Sequence, residues 1–329
     1  MAGTGTAHLR EDAVVTLDRM VVEYPTAKGV VQAVSGISLD LVHGETLGLV
    51  GESGCGKSSL GRGVLQLPAP TSGSVRLRGI DLCTLTGAAL KEQRRYMQMV
   101  FQDPISSLNP RRKVGDIVAE GLRIQRREMS PDDVTKVVDD ILEAVGLDPA
   151  GARTRRASEF SGGQCQRIAI ARALILEPEL LVCDEPVSAL DVSVQAQILN
   201  LLEDMKDRYG LTMLFISHDL AVVRNISDRV AVMYLGKLCE VAPTLDLYDR
   251  PAHPYTQLLL SSIPTLDDEP MTPVRKVDAE LPSPLDPPSG CRFRTRCPLA
   301  TDQCAVVEPE LREVRPGHYV ACHHPLLEN

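Results

Sequence analysis

The stretch Gly51-Glu52-Ser53-Gly54-Cys55-Gly56-Lys57-Ser58 follows an apolar run, Thr46–Val50, that predicts a strand, and precedes a helical pattern. Glycines let such a loop curl so that successive backbone N–H groups face one anion, and the helix N-terminus adds positive charge. In this context Lys57 is expected to hold the β- and γ-phosphates of a nucleotide, and the Ser58 hydroxyl to ligate Mg²⁺. The stretch, continued by Ser59, therefore predicts a nucleotide-phosphate site. The alternative is a glycine-rich turn that matches by accident.

Apolar patterns elsewhere in the chain predict further strands. Alternating apolar residues at 37–41 and 75–77 predict half-buried antiparallel strands. Continuous apolar runs at 180–183 and Thr212–Ile216 predict strands that are covered on both faces, as in a parallel sheet.

Helical patterns lie between these strands. Apolar residues follow helical spacing through 130–146, where Ser130 is the expected N-cap and Gly146 the expected end. A second helix is expected over 57–67, and a hairpin over 229–241. Strands that alternate with helices predict an α/β fold.

Length and composition limit the class of protein. The chain has 329 residues, 43% of them apolar and 24% charged, which is typical of a globular protein of about two domains. A net charge of -9 and the absence of Trp argue against a nucleic-acid-binding platform, which favours basic and aromatic residues. No apolar run approaches the ~20 residues that span a bilayer. The polar start predicts no secretory signal, so the expected compartment is the cytosol, where thiols stay reduced.

Two carboxylates, Asp184 and Glu185, follow the apolar run at 180–183. Ligands of open α/β sheets bind at the carboxyl ends of the strands. Asp184 is therefore expected to hold Mg²⁺ through water, and Glu185 to polarise the attacking water as general base. An acidic turn at a strand end is the alternative, and the phosphate loop upstream favours the catalytic interpretation.

The residues Ser161-Gly162-Gly163-Gln164 precede a helical run at 165–176. Between a phosphate loop and an Asp-Glu strand, they resemble the signature of ABC ATPases, which usually begins with Leu where this chain has Phe160. The resemblance implies that these four residues form a second anion site at a helix N-terminus. In the family this site faces the γ-phosphate bound by the opposite subunit, so that two chains enclose two ATP molecules. The alternative is a glycine-rich N-cap without a ligand.

Other residues occur in the order that the ABC family shows. Tyr24 resembles the aromatic residue that stacks on adenine, Gln102 the glutamine that senses Mg²⁺ and the membrane partner, and His218 the histidine that contacts the γ-phosphate. Ser188-Ala189-Leu190-Asp191 resembles the loop that links the two sites across the dimer. An ordinary strand-end Tyr and a structural His are the alternatives. The resemblance implies an ATPase with Glu185, His218 and Gln102 as catalytic residues.

Five further stretches narrow the resemblance to one group of ABC ATPases. They are Phe101-Gln102-Asp103-Pro104, Ser107-Leu108-Asn109-Pro110, EFSGGQCQR at 159–167, CDEPVSALD at 183–191 and His253-Pro254-Tyr255-Thr256. The chain resembles the ATP-binding subunits of bacterial dipeptide, oligopeptide and nickel importers, closest to the second ATPase subunit of an oligopeptide permease. This implies an ABC ATPase domain over 10–245, with a helical subdomain at about 103–178, and a C-terminal extension over 246–329.

The same resemblance implies a subunit that hydrolyses ATP to power peptide import. Its implied partners are two membrane permease subunits, a second ATPase subunit and an extracytoplasmic peptide-binding protein, with no nucleic acid. A heterodimer with a different ATPase is favoured over a homodimer. The implied location is peripheral, on the cytoplasmic face of the bacterial inner membrane.

The cysteines suggest a special C-terminal site. Four of the nine lie near the end of the chain: Cys291, Cys297, Cys304 and Cys322. Their spacing is neither that of a zinc ribbon nor that of a ferredoxin, so spacing alone leaves metal, disulfide and free thiols open. The resembling permease subunits carry this cysteine set, which implies a [4Fe-4S] cluster, with zinc as the alternative. Arg292, Arg294 and Arg296 are then expected either to offset an anionic cluster or to be ordinary solvated arginines.

Three other functions are weighed against peptide import: a nickel importer, a soluble ABC ATPase of translation or repair, and a regulatory module whose cysteines sense redox state or iron. Translation factors of this superfamily generally join two cassettes, whereas this chain has one phosphate loop. Repair relatives carry long coiled coils between the loop and the signature, whereas no such insertion separates Ser58 from Ser161.

Overall fold

The computed structural model describes residues 5–263 and 281–327. The chain forms two compact units, one from Met1–Thr84 with Ile216–Asn329 and the other from Leu85–Phe215. Parts of the predicted extension, 264–280 and 328–329, lie outside the described residues.

The first unit begins with an antiparallel sheet. Its elements in chain order are β1 (Ala13–Thr26), β2 (Gly29–Val42), β3 (Thr46–Val50), α1 (Lys57–Val64), β4 (Ser72–Leu77) and β5 (Ile80–Asp81). β1 pairs antiparallel with β2 and β4, and β4 pairs with β5. Val75 and Leu77 are buried while Arg76 is exposed, so the half-buried strand predicted there is confirmed. For β2 the predicted antiparallel strand is confirmed, but it is not half-buried, because Asp40 on its polar face is also buried, in an ion pair with Arg229.

The second unit is mainly helical. Its elements are α2 (Gly87–Gln93), β6 (Met97–Val100), α3 (Pro104–Ser107), α4 (Val114–Val118), α5 (Glu120–Gln125), α6 (Pro131–Ala144), α7 (Pro149–Ala152), α8 (Gly162–Leu174), β7 (Leu180–Asp184) and α9 (Val192–Tyr209). β6 and β7 pair in parallel, and β8 (Thr212–Ile216) returns the chain to the first unit. The predicted helix at 130–146 is confirmed as α6, where the Ser130 hydroxyl accepts the Asp133 N–H at 3.1 Å.

The chain then completes the first unit. The remaining elements are α10 (Leu220–Ile226), β9 (Arg229–Tyr234), β10 (Lys237–Pro243), α11 (Thr244–Asp249), α12 (Pro254–Leu260), α13 (Asp302–Val306), β11 (Arg312–Arg315) and β12 (His318–Val320). β3 pairs in parallel with β9, whereas β9, β10, β12 and β11 pair antiparallel in that order. The predicted hairpin is therefore confirmed. The sheet of this unit is mixed, as expected of an α/β fold.

A buried carboxylate of β10 binds backbone and side-chain groups at the start of α12 and in β12. Glu240 is fully buried, and it accepts the backbone N–H groups of Ala252 and His253 at 2.7 and 2.9 Å. The Nε2 atom of His318 lies 2.6 Å from the same carboxylate. Burial lowers the pKa of His253 to about 4, so this ring is neutral at pH 7. Because buried polar groups need hydrogen-bond partners, this network fixes α12 against the sheet and supports the pairing of β12 with β10.

Two helices differ from their predicted limits. α1 ends at Val64 rather than at residue 67, because Gln66 adopts a positive φ of 59°. α8 begins at Gly162, before the predicted start at 165, because Ser161 caps it. In 5–263 and 281–327, no helix has both the length and the apolar character that a bilayer crossing requires.

Candidate functional site

The predicted phosphate loop joins β3 to α1 in the first unit. Gly51 and Gly56 have φ of +151° and +107°, conformations that L side chains rarely adopt. A Cβ atom would lie 2.1 Å from the Met233 carbonyl oxygen at Gly51, and 2.0 Å from that of Ala33 at Gly56. Neighbouring backbone therefore requires glycine at both positions. The predicted strand, loop and helix are all present.

Lys57 begins α1 and is almost fully buried, with 5% of its surface exposed. Its ammonium group donates to the carbonyl oxygens of Gly51 at 2.8 Å and Glu52 at 3.1 Å. The Cys55 sulfur, a weak acceptor, lies 3.9 Å away. Burial raises the pKa of the Cys55 thiol, so it stays neutral beside the ammonium. The positive charge of Lys57 is thus held within the loop by neutral groups, which suits an anionic ligand. Ser58 and Ser59 follow it in the first turn of α1.

Glu52 of this loop is bound by two residues from the C-terminal part of the first unit. The Tyr255 hydroxyl accepts the Glu52 N–H at 2.8 Å. Arg296 donates two hydrogen bonds to the Glu52 carboxylate, at 2.6 and 2.9 Å, and this hydrogen bonding raises the pKa of the guanidinium. Sequence reasoning missed both contacts because the partners are 203 and 244 residues away from Glu52.

His218 and Tyr24 also lie in the first unit. His218 is exposed and follows Ser217, whose N–H donates to the carbonyl oxygen of Leu49 in β3 at 3.2 Å. This bond places the histidine beside the end of the strand that leads into the phosphate loop. Tyr24 is partly exposed and lies near the end of β1, opposite Val31 of β2.

The second unit brings the predicted glutamine and acidic pair together. The parallel register of β6 and β7 places Val100 opposite Cys183, so the residues that follow both strands lie at one edge. There the Gln102 side-chain amide donates to the Glu185 carboxylate at 2.8 Å. Asp184 ends β7 and is 1% exposed, whereas Glu185 is partly exposed with a φ of 49°. This left-handed backbone is uncommon for a residue other than glycine, and such strain often marks a functional position.

The predicted signature, Ser161 to Gln164, forms the N-terminal cap of α8 in the same unit. The Ser161 hydroxyl accepts the Gln164 N–H at 3.4 Å, and the Ser161 N–H donates to the Gln164 side-chain oxygen at 3.0 Å. Both side chains are exposed, and Gly162 and Gly163 between them are partly exposed. Phe160 lies under the guanidinium of Arg155, 4.4 Å from the ring centroid. The capping box is thus present, and it leaves this helix N-terminus open to solvent.

The loop 188–191 leads into α9, whose N-cap is Asp191. The Asp191 carboxylate accepts the Val194 N–H at 3.0 Å and the Ser193 hydroxyl at 2.7 Å, and these bonds lower its pKa. Ser188 and Ala189 are exposed. The loop therefore offers an accessible surface that is held in shape by the N-cap of α9.

The C-terminal cysteines lie in the first unit. Burial raises the pKa of Cys322 to about 12, and the charges of Cys291, Cys297 and Cys304 add to this effect. All nine cysteines are free thiols. Within the described ranges, no three side chains of His, Cys, Asp or Glu are grouped so that they could hold a metal ion. The structure thus places the four thiols in one region but does not arrange them as metal ligands.

The three neighbouring arginines bind protein groups. Arg296 is buried against Glu52, so it is not an ordinary solvated arginine. Arg292 donates to the Leu235 carbonyl oxygen and, at 3.0 Å, to the Gln32 side chain. Arg294 donates to the Ser289 carbonyl oxygen at 2.9 Å.

Known proteins resemble this chain over most of its length. Residues 34–188 match the ABC transporter family, and residues 239–304 match the C-terminal region of oligopeptide/dipeptide transporters. The oligopeptide transport ATP-binding protein AppF of Bacillus subtilis is 51% identical over 298 residues, 90% of this chain and 90% of AppF. OppF of Salmonella typhimurium, which has the same description, is 51% identical over 293 residues, 88% of this chain and 87% of OppF.

A solved structure agrees with these similarities. A dimeric ATP-binding cassette in a post-hydrolysis state, bound to ADP and Pi, aligns with a TM-score of 0.64 and 28% identity. The alignment covers 70% of this chain and 98% of the cassette. The fold and the motifs define an ATP-binding cassette, so the predicted P-loop α/β fold and ABC-type ATPase are confirmed. The chain belongs to the oligopeptide transport ATP-binding proteins of the ABC transporter family. Membership of this family implies ATP and Mg²⁺ as nucleotide and metal ion.

Proposed function

We propose that this chain hydrolyses ATP to drive the import of peptides through a membrane ABC transporter. The hydrogen bond between Gln102 and Glu185, beside the buried Asp184, carries the catalytic part of the proposal. The match of residues 239–304 to oligopeptide/dipeptide transporters supports peptides rather than nickel as cargo.

The phosphate loop binds the polyphosphate of ATP in this proposal. Residues Gly51 to Ser59 supply backbone N–H groups and the N-terminus of α1, both of which favour an anion. Lys57 supplies the ammonium for the β- and γ-phosphates, and Tyr24 a ring for the adenine. The burial of Lys57 supports its role, because a buried ammonium interacts with a phosphate more strongly than a solvated one.

Three oxygen-bearing side chains suit Mg²⁺: the hydroxyl of Ser58, the amide of Gln102 and the carboxylate of Asp184. A bound Mg²⁺ neutralises charge on the phosphates. Glu185 accepts a proton from the attacking water, and Gln102 orients its carboxylate through the 2.8 Å hydrogen bond. His218 donates to the γ-phosphate.

A second cassette completes the site in this proposal. Ser161, Gly162, Gly163 and Gln164 bind the γ-phosphate held by the other subunit, and the loop 188–191 links the two sites. Their exposure supports this role, because a surface that meets another subunit must be accessible in the single chain. The dimeric cassette that aligns with this chain supports it as well. We favour a different ATPase chain over a second copy as the partner.

The transporter also includes two membrane permease subunits and an extracytoplasmic peptide-binding protein. We place this chain on the cytoplasmic face of the bacterial inner membrane as a peripheral subunit. Residues 10–245 form the ATPase domain, and the helical subdomain at about 103–178 contacts the permease subunits. Residues 246–329 form the C-terminal extension.

The four C-terminal cysteines are proposed to hold a [4Fe-4S] cluster, with zinc as the alternative. Their placement in one region supports the proposal, because the Cys291 N–H donates to the Cys304 carbonyl oxygen at 2.8 Å. The arrangement of the described side chains does not meet the geometry of a metal site, so no step of ATP hydrolysis is assigned to such a group.

Affinity purification from membranes in mild detergent tests the peptide-import proposal. Two multi-span subunits and a second ATPase are expected to copurify with the tagged chain, as mass spectrometry would show. Untagged cells serve as the control. Copurification of nickel-specific uptake components instead would overturn the peptide assignment. Recovery of the chain with no membrane subunit would favour a soluble ABC ATPase.

Anaerobic purification tests the cysteine site. A brown protein with about four irons and four sulfides per chain is expected, since that is the composition of the cluster. A variant with Cys83 replaced by Ser serves as a control. It is expected to keep the colour and the iron content of the wild type, because Cys83 lies outside the C-terminal group. One zinc per chain would identify the alternative, and a colourless, metal-free protein would contradict both.

A further inference from the structure

Glu52 puts a negative charge into a loop whose expected ligand is itself an anion. An unpaired carboxylate at this position would repel a polyphosphate, because like charges at short range in a partly desolvated site interact strongly. The structure pairs this carboxylate with Arg296 through two hydrogen bonds of 2.6 and 2.9 Å. This bidentate arrangement is the strongest form of contact between a guanidinium and a carboxylate.

Arg296 is held in position by aromatic rings rather than by solvent. Only 8% of its surface is exposed, and its guanidinium carbon lies 5.8 Å from the Tyr234 ring centroid and 6.0 Å from that of Phe293. Phe293 is 2% exposed and contacts the Tyr234 and Tyr255 rings, with centroid distances of 5.3 Å to each. The guanidinium is therefore preorganised for Glu52, and little side-chain entropy is lost when the pair forms.

Further contacts join the same C-terminal segment to the surroundings of the loop. The Tyr255 hydroxyl accepts the Glu52 N–H, and Arg292 donates to the Leu235 carbonyl oxygen. Next to Leu235, the Gly236 N–H donates to the Cys55 carbonyl oxygen at 2.8 Å. Tyr255 and Arg296 thus contact the phosphate loop at Glu52. The β9–β10 turn, which Arg292 contacts at Leu235, binds the same loop at Cys55.

We propose that Arg296 is a positioning residue of the phosphate loop, which neutralises Glu52 and so allows the loop to accept the polyphosphate of ATP. The C-terminal segment thereby sets the affinity of the cassette for nucleotide. This inference rests on the proposed function of the loop. It assigns to Arg296 a role in binding, and no role in the chemical step.

The test compares ATP binding, KM for ATP and kcat in the full-length wild type and five variants. Arg296→Ala is expected to weaken ATP binding and raise KM by about tenfold, while kcat at saturating ATP changes by less than about twofold. Arg296→Lys keeps the charge without the bidentate geometry, so an increase of about threefold is expected. Arg294→Ala is the matched control, because Arg294 binds Ser289 on the same segment, and it is expected to behave as wild type.

Removal of the carboxylate separates charge neutralisation from a structural tie. Glu52→Gln alone is expected to bind ATP more tightly than wild type, because the repelling carboxylate is gone while Arg296 keeps its positive charge. The double variant Glu52→Gln with Arg296→Ala is expected to recover binding to within about threefold of wild type. A merely structural contact would show no such recovery.

Two results would overturn the inference. One is wild-type affinity for ATP in Arg296→Ala, and the other is a double variant that binds as weakly as Arg296→Ala. If circular dichroism shows that Arg296→Ala does not fold, the ATP affinities of Arg296→Lys and Glu52→Gln are compared with that of the wild type instead. Absence of ATP binding by the wild type would instead contradict the proposed function of the loop.

Discussion

Replacement of Glu185 by Gln is expected to lower ATP turnover by about 10²–10⁴-fold, the usual contribution of a general base. The amide is nearly isosteric with the carboxylate, and its oxygen can still accept the hydrogen bond that Gln102 donates at 2.8 Å. The amide cannot accept a proton from water, so turnover is lost while ATP affinity stays within about twofold of wild type. Phosphate release measured beside equilibrium ATP binding checks both parts. Gel filtration of the variant together with the second ATPase subunit, ATP and Mg²⁺ is expected to show a trapped dimer.

A control in the same unit removes the same charge. Glu203 is exposed on α9, so Glu203→Gln is expected to hydrolyse ATP at the wild-type rate. Turnover at the wild-type rate in Glu185→Gln would show that another group takes the proton. Loss of ATP binding in that variant would instead place Glu185 among the binding residues.

The phosphate loop was predictable because its determinants are local. The apolar run of β3, the glycines and Lys57 are adjacent in sequence, and each has a conformational reason to be there. The cap of α6 was predictable for the same reason, since an N-cap acts on the N–H group three residues later.

The contact between Gln102 and Glu185 was not predictable from local pattern. The two residues are 83 positions apart, and their meeting depends on the parallel register of β6 and β7. Only the resemblance to ABC ATPases pointed to both positions. The structure adds the physical reason, because residues that follow neighbouring parallel strands meet at one edge of a sheet.

The environment of Arg296 could not be predicted from sequence at all. An arginine in a proline-rich, polar segment usually is solvated, and nothing near it in sequence marks Glu52 as its partner. The same limit applies to Asp40. The alternating sequence pattern predicts that Asp40 faces solvent, but it is buried in an ion pair with Arg229. Long-range ion pairs are set by tertiary packing, so local periodicity cannot predict them.

Replacement of Lys57 by Ala is expected to weaken ATP binding by about 100-fold or more, because truncation of a buried, hydrogen-bonded charge typically costs 2–5 kcal/mol. Lys57 is 5% exposed, and its ammonium donates to the carbonyl oxygens of Gly51 and Glu52. Its loss also leaves these carbonyls short of a donor, which is expected to cost about 1–3 kcal/mol of unfolding free energy. Equilibrium ATP binding and urea unfolding measure the two effects separately. Lys136 is exposed on α6, so Lys136→Ala is the matched control and is expected to change neither.

The two variants fail at different steps, and this difference is the strongest test of the assigned roles. With Lys57→Ala, turnover is expected to recover toward wild type as ATP is raised, to the extent that the loop keeps its shape. With Glu185→Gln, no ATP concentration is expected to restore turnover, because the missing group acts after binding. Wild-type ATP affinity in Lys57→Ala would mean that its ammonium only supports the loop backbone. The backbone N–H groups and the N-terminus of α1 would then have to supply the whole attraction for the phosphates.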